Sequence, residues 1–396
     1  MMRIHSILTR LLRTNAANLS ALNSVDVPLE RIVFVWNKSS IASMDTIAND
    51  SPHAESENWS EVQSAPIVKA IQAKIKGESC LLGKPNLALT AEITGDRKGG
   101  LVRWMSSALA KRIDSVCDQI SLGKFDWQDI ENEFGRIRIG VDQEGKPFLV
   151  SGLISYALAT STKLKTVPAD VVTRAPQWQA FRDKLIEFAR QSLDEDFRIK
   201  NDLSHYGGRL YQQAYHFDTS DIDHVYGRER FEAIHKCVDA EEGTVLDIGA
   251  NFGLLCSEFE KAGFDCTAVE LKSQDFYYLE KLRSYSSHAF RAEKCSIFDF
   301  RGDEKLDYDI VLALFIFHHF MKSPDLLEQL TTLLKRITCR EMYLGVPDPN
   351  EAQMKSAFQN LSADDFAKFV MEHTHLTKCE RIECPGLRNR AVLRLS

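Results

Sequence analysis

Three groups of residues in the second half of the chain have the types and spacing to do chemistry. Gly249 and Gly253 bracket a turn at the end of Gly243-Thr-Val-Leu-Asp-Ile-Gly-Ala-Asn-Phe-Gly253. Without a Cβ the chain can bend tightly there and let a ligand touch its backbone. About twenty residues further on, Cys266-Thr-Ala-Val-Glu270 ends an apolar run on a carboxylate, the placement at which an α/β nucleotide site binds both hydroxyls of a ribose. The third group is the histidine pair in Phe315-Ile-Phe-His318-His319-Phe320. An imidazole, with an ordinary pKa of about 6.5, is suited to taking a proton at neutral pH.

These groups need a scaffold, and the flanking pattern supplies one. Thr244, Val245, Leu246 and Ile248 form the short apolar run of a strand covered on both faces, and Leu254 to Ala262 opens a helix whose free N–H groups face the turn. Strand and helix patterns then alternate over 265–271, 273–284, 289–297, 308–316, 324–337 and 340–346. Such alternation predicts a parallel sheet wound on both sides, with ligands outside the carboxyl ends of its strands. Lys378–Cys384 and Arg390–Leu395 read as the last two strands, with helices in Glu351–Thr374 before them.

From Gly243 onward the chain resembles the class I S-adenosylmethionine-dependent methyltransferases. Leu246-Asp-Ile-Gly-Ala-Asn-Phe-Gly253 looks like their first motif, and Glu270 matches their ribose-binding acid. Asp299, in Cys295-Ser-Ile-Phe-Asp299, falls where the family has an acid near the adenine amino group. Tyr308-Asp-Ile-Val-Leu-Ala-Leu-Phe-Ile-Phe-His-His319 is similar to the fourth strand and catalytic loop. The resemblance implies a doubly wound, mostly parallel, seven-stranded Rossmann-like α/β sheet with an antiparallel edge hairpin. It implies S-adenosylmethionine as cofactor, held by Asp247, Gly249, Asn251, Gly253, Glu270, Asp299 and Leu314. A dinucleotide is the rival ligand for such a turn, but its fingerprint needs a middle glycine where this chain has Asn251.

The resemblance also places the region of His318 and His319 beside the transferring methyl group. A sulfonium is already a good leaving group, so most acceleration comes from holding donor and acceptor in line at about 3–3.5 Å. A base is needed only for an acceptor that must lose a proton. One of the two histidines is expected to touch the acceptor, with His318 preferred; a structural hydrogen bond is the other reading of either ring. Helix 226–238 begins with Tyr226, Arg228 and Arg230, and Arg230 is the cation expected to meet the methionine carboxylate by a bidentate contact. A solvated helix end is the alternative.

At 396 residues the chain is long enough for two domains. Its 44% hydrophobic and 27% charged residues are those of an ordinary globular protein. A net charge of −7 and a pI of about 5.9 remove the broad basic surface that non-specific nucleic-acid binding requires. Nine cysteines are scattered without C-x-x-C spacing, which reads as reduced thiols in a cytoplasmic protein. No apolar run reaches the ~18 residues that span a bilayer. The first 22 residues carry Arg3, Arg10 and Arg13, no acid, and leucines at helical spacing. That reads as a helix docked on its own domain, with a targeting or membrane-surface segment as the alternative.

In the N-terminal half, Arg31–Trp36 reads as a strand, 49–57 as a loop, and Ala65–Lys76 and 104–120 as helices. The segments 136–142 and 146–150 flank the turn Gln143-Glu-Gly145 as a hairpin, followed by helix 153–162 and strand 166–172. This order, over about 125–185, resembles the ParB/sulfiredoxin-like fold. The charged motif of that fold is replaced here by Ser151-Gly-Leu-Ile-Ser155, which offers no cation to a phosphate. The expected organisation is therefore an α+β domain at 1–192 for substrate or partner recognition, a linker at 193–227, and the methyltransferase at 228–396. Linker aromatics Tyr206, Tyr211, Tyr215, His216 and Phe217 either line an acceptor pocket or join the domains.

The expected function is methyl transfer to an O or N of a small-molecule or glycan-type acceptor. Nucleic acid is the weaker acceptor, because no Asn/Asp-Pro-Pro-Tyr/Phe motif, which grips a flipped base, follows the fourth strand. An inactive S-adenosylmethionine-binding scaffold is the reading from another class. The sequence does not set the acceptor or the oligomeric state.

Overall fold

The computed structural model describes residues 24–28, 32, 66–76, 100–162, 164–191, 207–387 and 389–396, with backbone alone at 24, 66–70, 100–108 and 110. The basic N-terminal segment, the loop 49–57, Tyr206 and all of the strand Arg31–Trp36 except Ile32 lie outside the described residues. The chain divides into two units between Asp183 and Lys184.

The first unit is α+β. In chain order it contains β1 (Ser24–Pro28), α1 (Pro66–Ile75), α2 (Gly100–Ser121), α3 (Trp127–Phe134), β2 (Ile137–Val141), β3 (Pro147–Ser151), α4 (Leu153–Ala159) and β4 (Thr166–Arg174). Helix α5 (Pro176–Gln191) crosses into the second unit. The sheet order is β1-β4-β2-β3, with β2 and β3 as the expected hairpin and β4 parallel to β2. Asp142 closes the hairpin turn by accepting from the N–H groups of Glu144 and Lys146. The step from β3 into α4 turns on Gly152 at φ +88°, where a Cβ would lie 2.5 Å from the carbonyl oxygen of Arg136. Ile71, Ile113, Cys117, Ile130 and Leu158 form a core among the helices.

The second unit opens with β5 (Leu210–Gln212) and β6 (His224–Tyr226), a parallel pair formed within the stretch expected as a linker. There follow α6 (Arg228–His235), β7 (Thr244–Ile248), α7 (Leu254–Lys261), β8 (Asp265–Val269), α8 (Ser273–Tyr285), β9 (Arg291–Glu293), β10 (Leu306–Asp307) and β11 (Ile310–Leu314). The last elements are α9 (Pro324–Arg336), β12 (Ile337–Thr338), β13 (Glu341–Val346), α10 (Ala363–His373), β14 (Cys379–Ile382) and β15 (Ala391–Leu395).

Seven strands form one sheet in the order β14-β15-β13-β11-β7-β8-β9. From β13 to β9 every pairing is parallel, and β15 joins antiparallel on both sides. The sheet has a core on each face because successive side chains alternate. Leu246, Ile248, Val311 and Leu344 pack with Leu330, Leu333 and Leu334 of α9 and Phe366 and Val370 of α10. Val245, Leu312 and Tyr343 pack with Phe231 and Ile234 of α6 and Leu255, Cys256 and Phe259 of α7. This is the α/β sheet expected from the alternating pattern, with the expected edge hairpin. The element expected at 289–297 is shorter, with β9 confined to Arg291–Glu293.

Among the described residues no helix is long and apolar enough to cross a membrane, and no cluster of His, Cys, Asp and Glu could hold a metal ion. The eight described cysteines are free thiols.

Candidate functional site

A cavity of about 620 Å³ opens at the carboxyl ends of β7, β8 and β11, the position expected for a ligand in such a sheet. One wall is the turn after β7. Gly249, at φ +74°, donates its N–H to the carbonyl of Val269, and a Cβ there would lie 3.0 Å from Ile316. Asn251 holds a left-handed conformation at φ +53° without being glycine, a strained state that tolerates Asn better than most residues. Its N–H donates to Oε2 of Glu270 at 2.9 Å. Its side chain bonds to Asp275, and its Oδ1 is buried with no hydrogen-bond partner. Gly253, at φ +81°, caps α7.

Glu270 leaves the end of β8 and accepts a second backbone bond, from Lys272 at 2.7 Å. Burial, then the nearby Asp275 carboxylate, pushes its pKa up to about 7 against those two bonds. Asp247, in β7 behind the turn, is not among the residues that line the cavity. Burial and then Glu270 push it up to about 7, opposed by the Cys256 thiol at 3.9 Å and by Arg230. Two adjacent carboxyl groups thus sit buried where an incoming cation or a set of hydroxyl donors would restore their charge.

Arg230 is 4% exposed. Its guanidinium lies 3.6 Å from the centroid of the Tyr226 ring and 5.1 Å from that of Phe315, both of which line the cavity. Tyr211 is hydrogen-bonded to it, while Nε and Nη2 have no hydrogen-bond partner. A buried cation with open donors is costly unless an anion completes it. Of the other arginine considered at this helix start, Arg228 is 61% exposed in its side chain and pairs with Glu258.

Asp299 is placed elsewhere. It lines a second cavity of about 310 Å³ with Thr267, Arg291 and Arg301, and does not line the larger one. The larger cavity instead receives Cys295, Ser296 and Ile297 from that segment, and Leu314 with Phe315 and Ile316 from the end of β11.

The opposite wall is the 3-10 turn Phe317–Met321, which brings both His318 and His319 to the cavity. Their rings lie 4.0 Å apart between centroids. His318 is buried, and burial lowers its pKa to about 4, against a raising contact with Gln353. The ordinary imidazole value that recommended it as a base therefore does not apply: near neutral pH it is uncharged and a weak base. His319 is partly exposed.

Sequence reasoning missed three lining residues, Arg390, Gln353 and Phe188, and Glu351, which holds the first of them. Arg390 forms a bidentate pair with Glu351 at 2.7 and 2.8 Å and donates to the Tyr226 hydroxyl at 3.1 Å. Gln353 meets His318 at 3.3 Å. Phe188 of α5 packs on Phe252 and Tyr278. Arg390 and Glu351 are 39 positions apart, and no local pattern links them. Of the aromatics after 206, Tyr211 lines the cavity, Tyr215 packs edge-on against His288, and His216 and Phe217 pack on each other.

Residues 222–378 match the family model of a methyltransferase domain. The match covers the glycine turn, Glu270 and the histidine loop. Together with the sheet it supports a class I methyltransferase domain in the C-terminal unit. No curated protein matches the chain. Among solved structures it is similar to monomeric WbdD, at 15% identity and a TM-score of 0.39 over 48% of this chain and 46% of that one. It is also similar to the protein studied for conversion of a disulfide bond into a thioacetal group during echinomycin biosynthesis. That likeness has 19% identity and a TM-score of 0.33 over 42% of this chain and 79% of that one. The matched part thus spans about half the length of WbdD.

Proposed function

We propose that the protein is an S-adenosylmethionine-dependent methyltransferase acting on an O or N atom of a small-molecule or glycan-type acceptor. The observation that carries this is the Asn251 to Glu270 hydrogen bond, which joins the glycine turn to the acid at one wall of a cavity whose other wall holds two histidines.

The residues present fit the donor. Glu270 is assigned to the ribose hydroxyls, Leu314 and Ile297 to the flat apolar face of the adenine, and Arg230, which sits against the cavity-lining rings of Tyr226 and Phe315 without lining the cavity itself, to the charge of the methionine carboxylate. Gly249 leaves room for that portion, Gly253 keeps the turn clear of Phe290 and Leu279, and Asp247 answers the positive charge from behind the turn. When bound, the donor supplies a methyl group on a sulfonium that needs no further activation. The chain's own task is to align the acceptor with that methyl group, exclude water, and receive a proton where the acceptor has one to lose. Asp299 has no part in this assignment, and Cys295 and Ser296, which line the larger cavity, are assigned to the adenine edge instead.

The N-terminal unit, with its ParB-like order and uncharged Ser151–Ser155, is assigned to substrate or partner recognition. A chain starting at Pro176 keeps α5 and Phe188, so its donor affinity should fall by less than about tenfold, or 1.4 kcal/mol, while acceptor turnover falls much further. Full turnover by the shortened chain removes the recognition role.

Incubation with methyl-labelled donor tests the acceptor class. Label in saccharides or hydroxylated small molecules supports the proposal, and label in RNA or DNA replaces it with the nucleic-acid reading. Donor binding with no transfer to any class leaves a binding scaffold.

A further inference from the structure

The acceptor wall contains a hydrogen-bond relay whose direction can be read from its chemistry. Arg390 can only donate, so both Glu351 oxygens accept from it. Glu351 Oε2 also accepts from the amide nitrogen of Gln353 at 2.7 Å. That bond fixes which way the amide faces, because its nitrogen is committed to the carboxylate. The Gln353 oxygen is therefore the atom 3.3 Å from Nε2 of His318, and an amide oxygen only accepts. His318 must carry its proton on Nε2. Its Nδ1 is left bare, and that atom is buried with no hydrogen-bond partner.

These facts remove His318 from proton transfer. Its Nε2–H is occupied by Gln353, and its Nδ1 is sealed from solvent. The ring remains as a fixed, uncharged plate 4.0 Å from the ring of His319, which lines the same cavity and is partly exposed. An uncharged neighbour matters, since a second positive imidazole at that distance would oppose any proton taken up by His319.

We propose that Gln353 is a positioning residue: aimed by Glu351 and Arg390, it locks His318 as the Nε2–H tautomer, and the locked ring seats His319 as the imidazole that meets the acceptor. This deepens the methyltransferase reading, on which the acceptor and the transfer step rest, while the locked tautomer does not depend on it. In the transfer step the acceptor oxygen or nitrogen bonds to the methyl carbon as the carbon–sulfur bond breaks and leaves its electron pair on sulfur. The proton lost by the acceptor passes to His319 and from there to water.

Nitrogen-15 NMR of histidine-labelled full-length protein, without any ligand, tests the lock. The expected spectrum has His318 protonated at Nε2 and unprotonated at Nδ1, and Gln353→Met, which keeps length but removes the amide, loses that single tautomer. Diethyl pyrocarbonate, which modifies accessible neutral imidazoles, should label His319 and spare His318 in the wild type, and should label both in Gln353→Met. A wild-type His318 protonated at Nδ1, an unchanged tautomer in Gln353→Met, or labelling of His318 before His319 overturns the proposal. If Gln353→Met does not fold, the wild-type spectrum and labelling order decide alone. Failure of donor binding in calorimetry would sink the methyltransferase reading and leave these readouts unmoved.

Discussion

The backbone N–H of Asn251 donates to Oε2 of Glu270 at 2.9 Å, while Oε1 of the same carboxylate accepts from Lys272 at 2.7 Å. The acid at the end of β8 is thus held by the turn after β7 before any ligand arrives. A preset carboxylate spares the ligand the ordering of a flexible side chain. Burial still opposes its charge, and the pKa of about 7 records that opposition.

Glu270→Gln should separate stability from binding. A carboxyl whose folded pKa lies above its unfolded value holds a proton that the unfolded chain has released between about pH 4 and 7, so its contribution to stability falls as pH rises through that window. Relative to wild type, the variant should gain stability with increasing pH, by up to about 3 kcal/mol above pH 7. Its donor affinity should drop by tenfold or more. Urea unfolding at several pH values reads the first effect, and a flat difference between variant and wild type would refute it.

Donor binding by the wild type should strengthen as pH rises through about 7, because Glu270 must be ionised to accept hydroxyl donors and Asp247 to balance a positive ligand from behind the turn. Calorimetry in matched buffers from pH 6 to 8.5 measures this directly, together with the protons released on binding. Affinity independent of pH over that range would count against the two carboxyl groups as donor ligands.

Arg230→Met should weaken donor binding by about 1.5–3 kcal/mol, the usual worth of a hydrogen bond to a charged group. It should leave the unliganded protein as stable as before or more so, since it removes a buried cation whose Nε and Nη2 are unpartnered. A large loss of stability with affinity kept would mark Arg230 as structural.

Gly345 tests how the histidine loop leaves the sheet. A Cβ there would lie 2.5 Å from the backbone nitrogen of Phe315, itself in a left-handed conformation at φ +56°. Gly345→Ala should cost about 1–3 kcal/mol by forcing that backbone aside. It should also weaken donor binding, because Phe315 flanks Arg230. Denaturant unfolding within about 0.5 kcal/mol of wild type would show that the loop yields freely.

The wall formed by the glycine turn and Glu270 was the more legible part of the cavity. The apolar run into Gly249, the spacing to Glu270 and the alternation beyond it are local signals, and sheet order follows from them because short parallel crossovers leave few arrangements. The histidine wall was not legible. Glu351 and Gln353 belong to the segment after β13 and Arg390 sits just before β15, and the return of the edge hairpin brings Arg390 to Glu351. The same gap explains His318 itself. Its residue type suggested a base near neutrality, but burial, which no local pattern encodes, holds it uncharged. Asp299, an acid of the expected type, lines the smaller cavity, a few residues beyond the Cys295–Ile297 stretch that lines the larger one.

Titration calorimetry of the full-length protein with S-adenosylmethionine tests the central claim most directly. The account predicts saturable one-to-one binding with a Kd between about 1 μM and 1 mM, abolished in the Asp247→Ala, Glu270→Ala double variant. No binding by the wild type at millimolar ligand, or equal binding by the double variant, would contradict it.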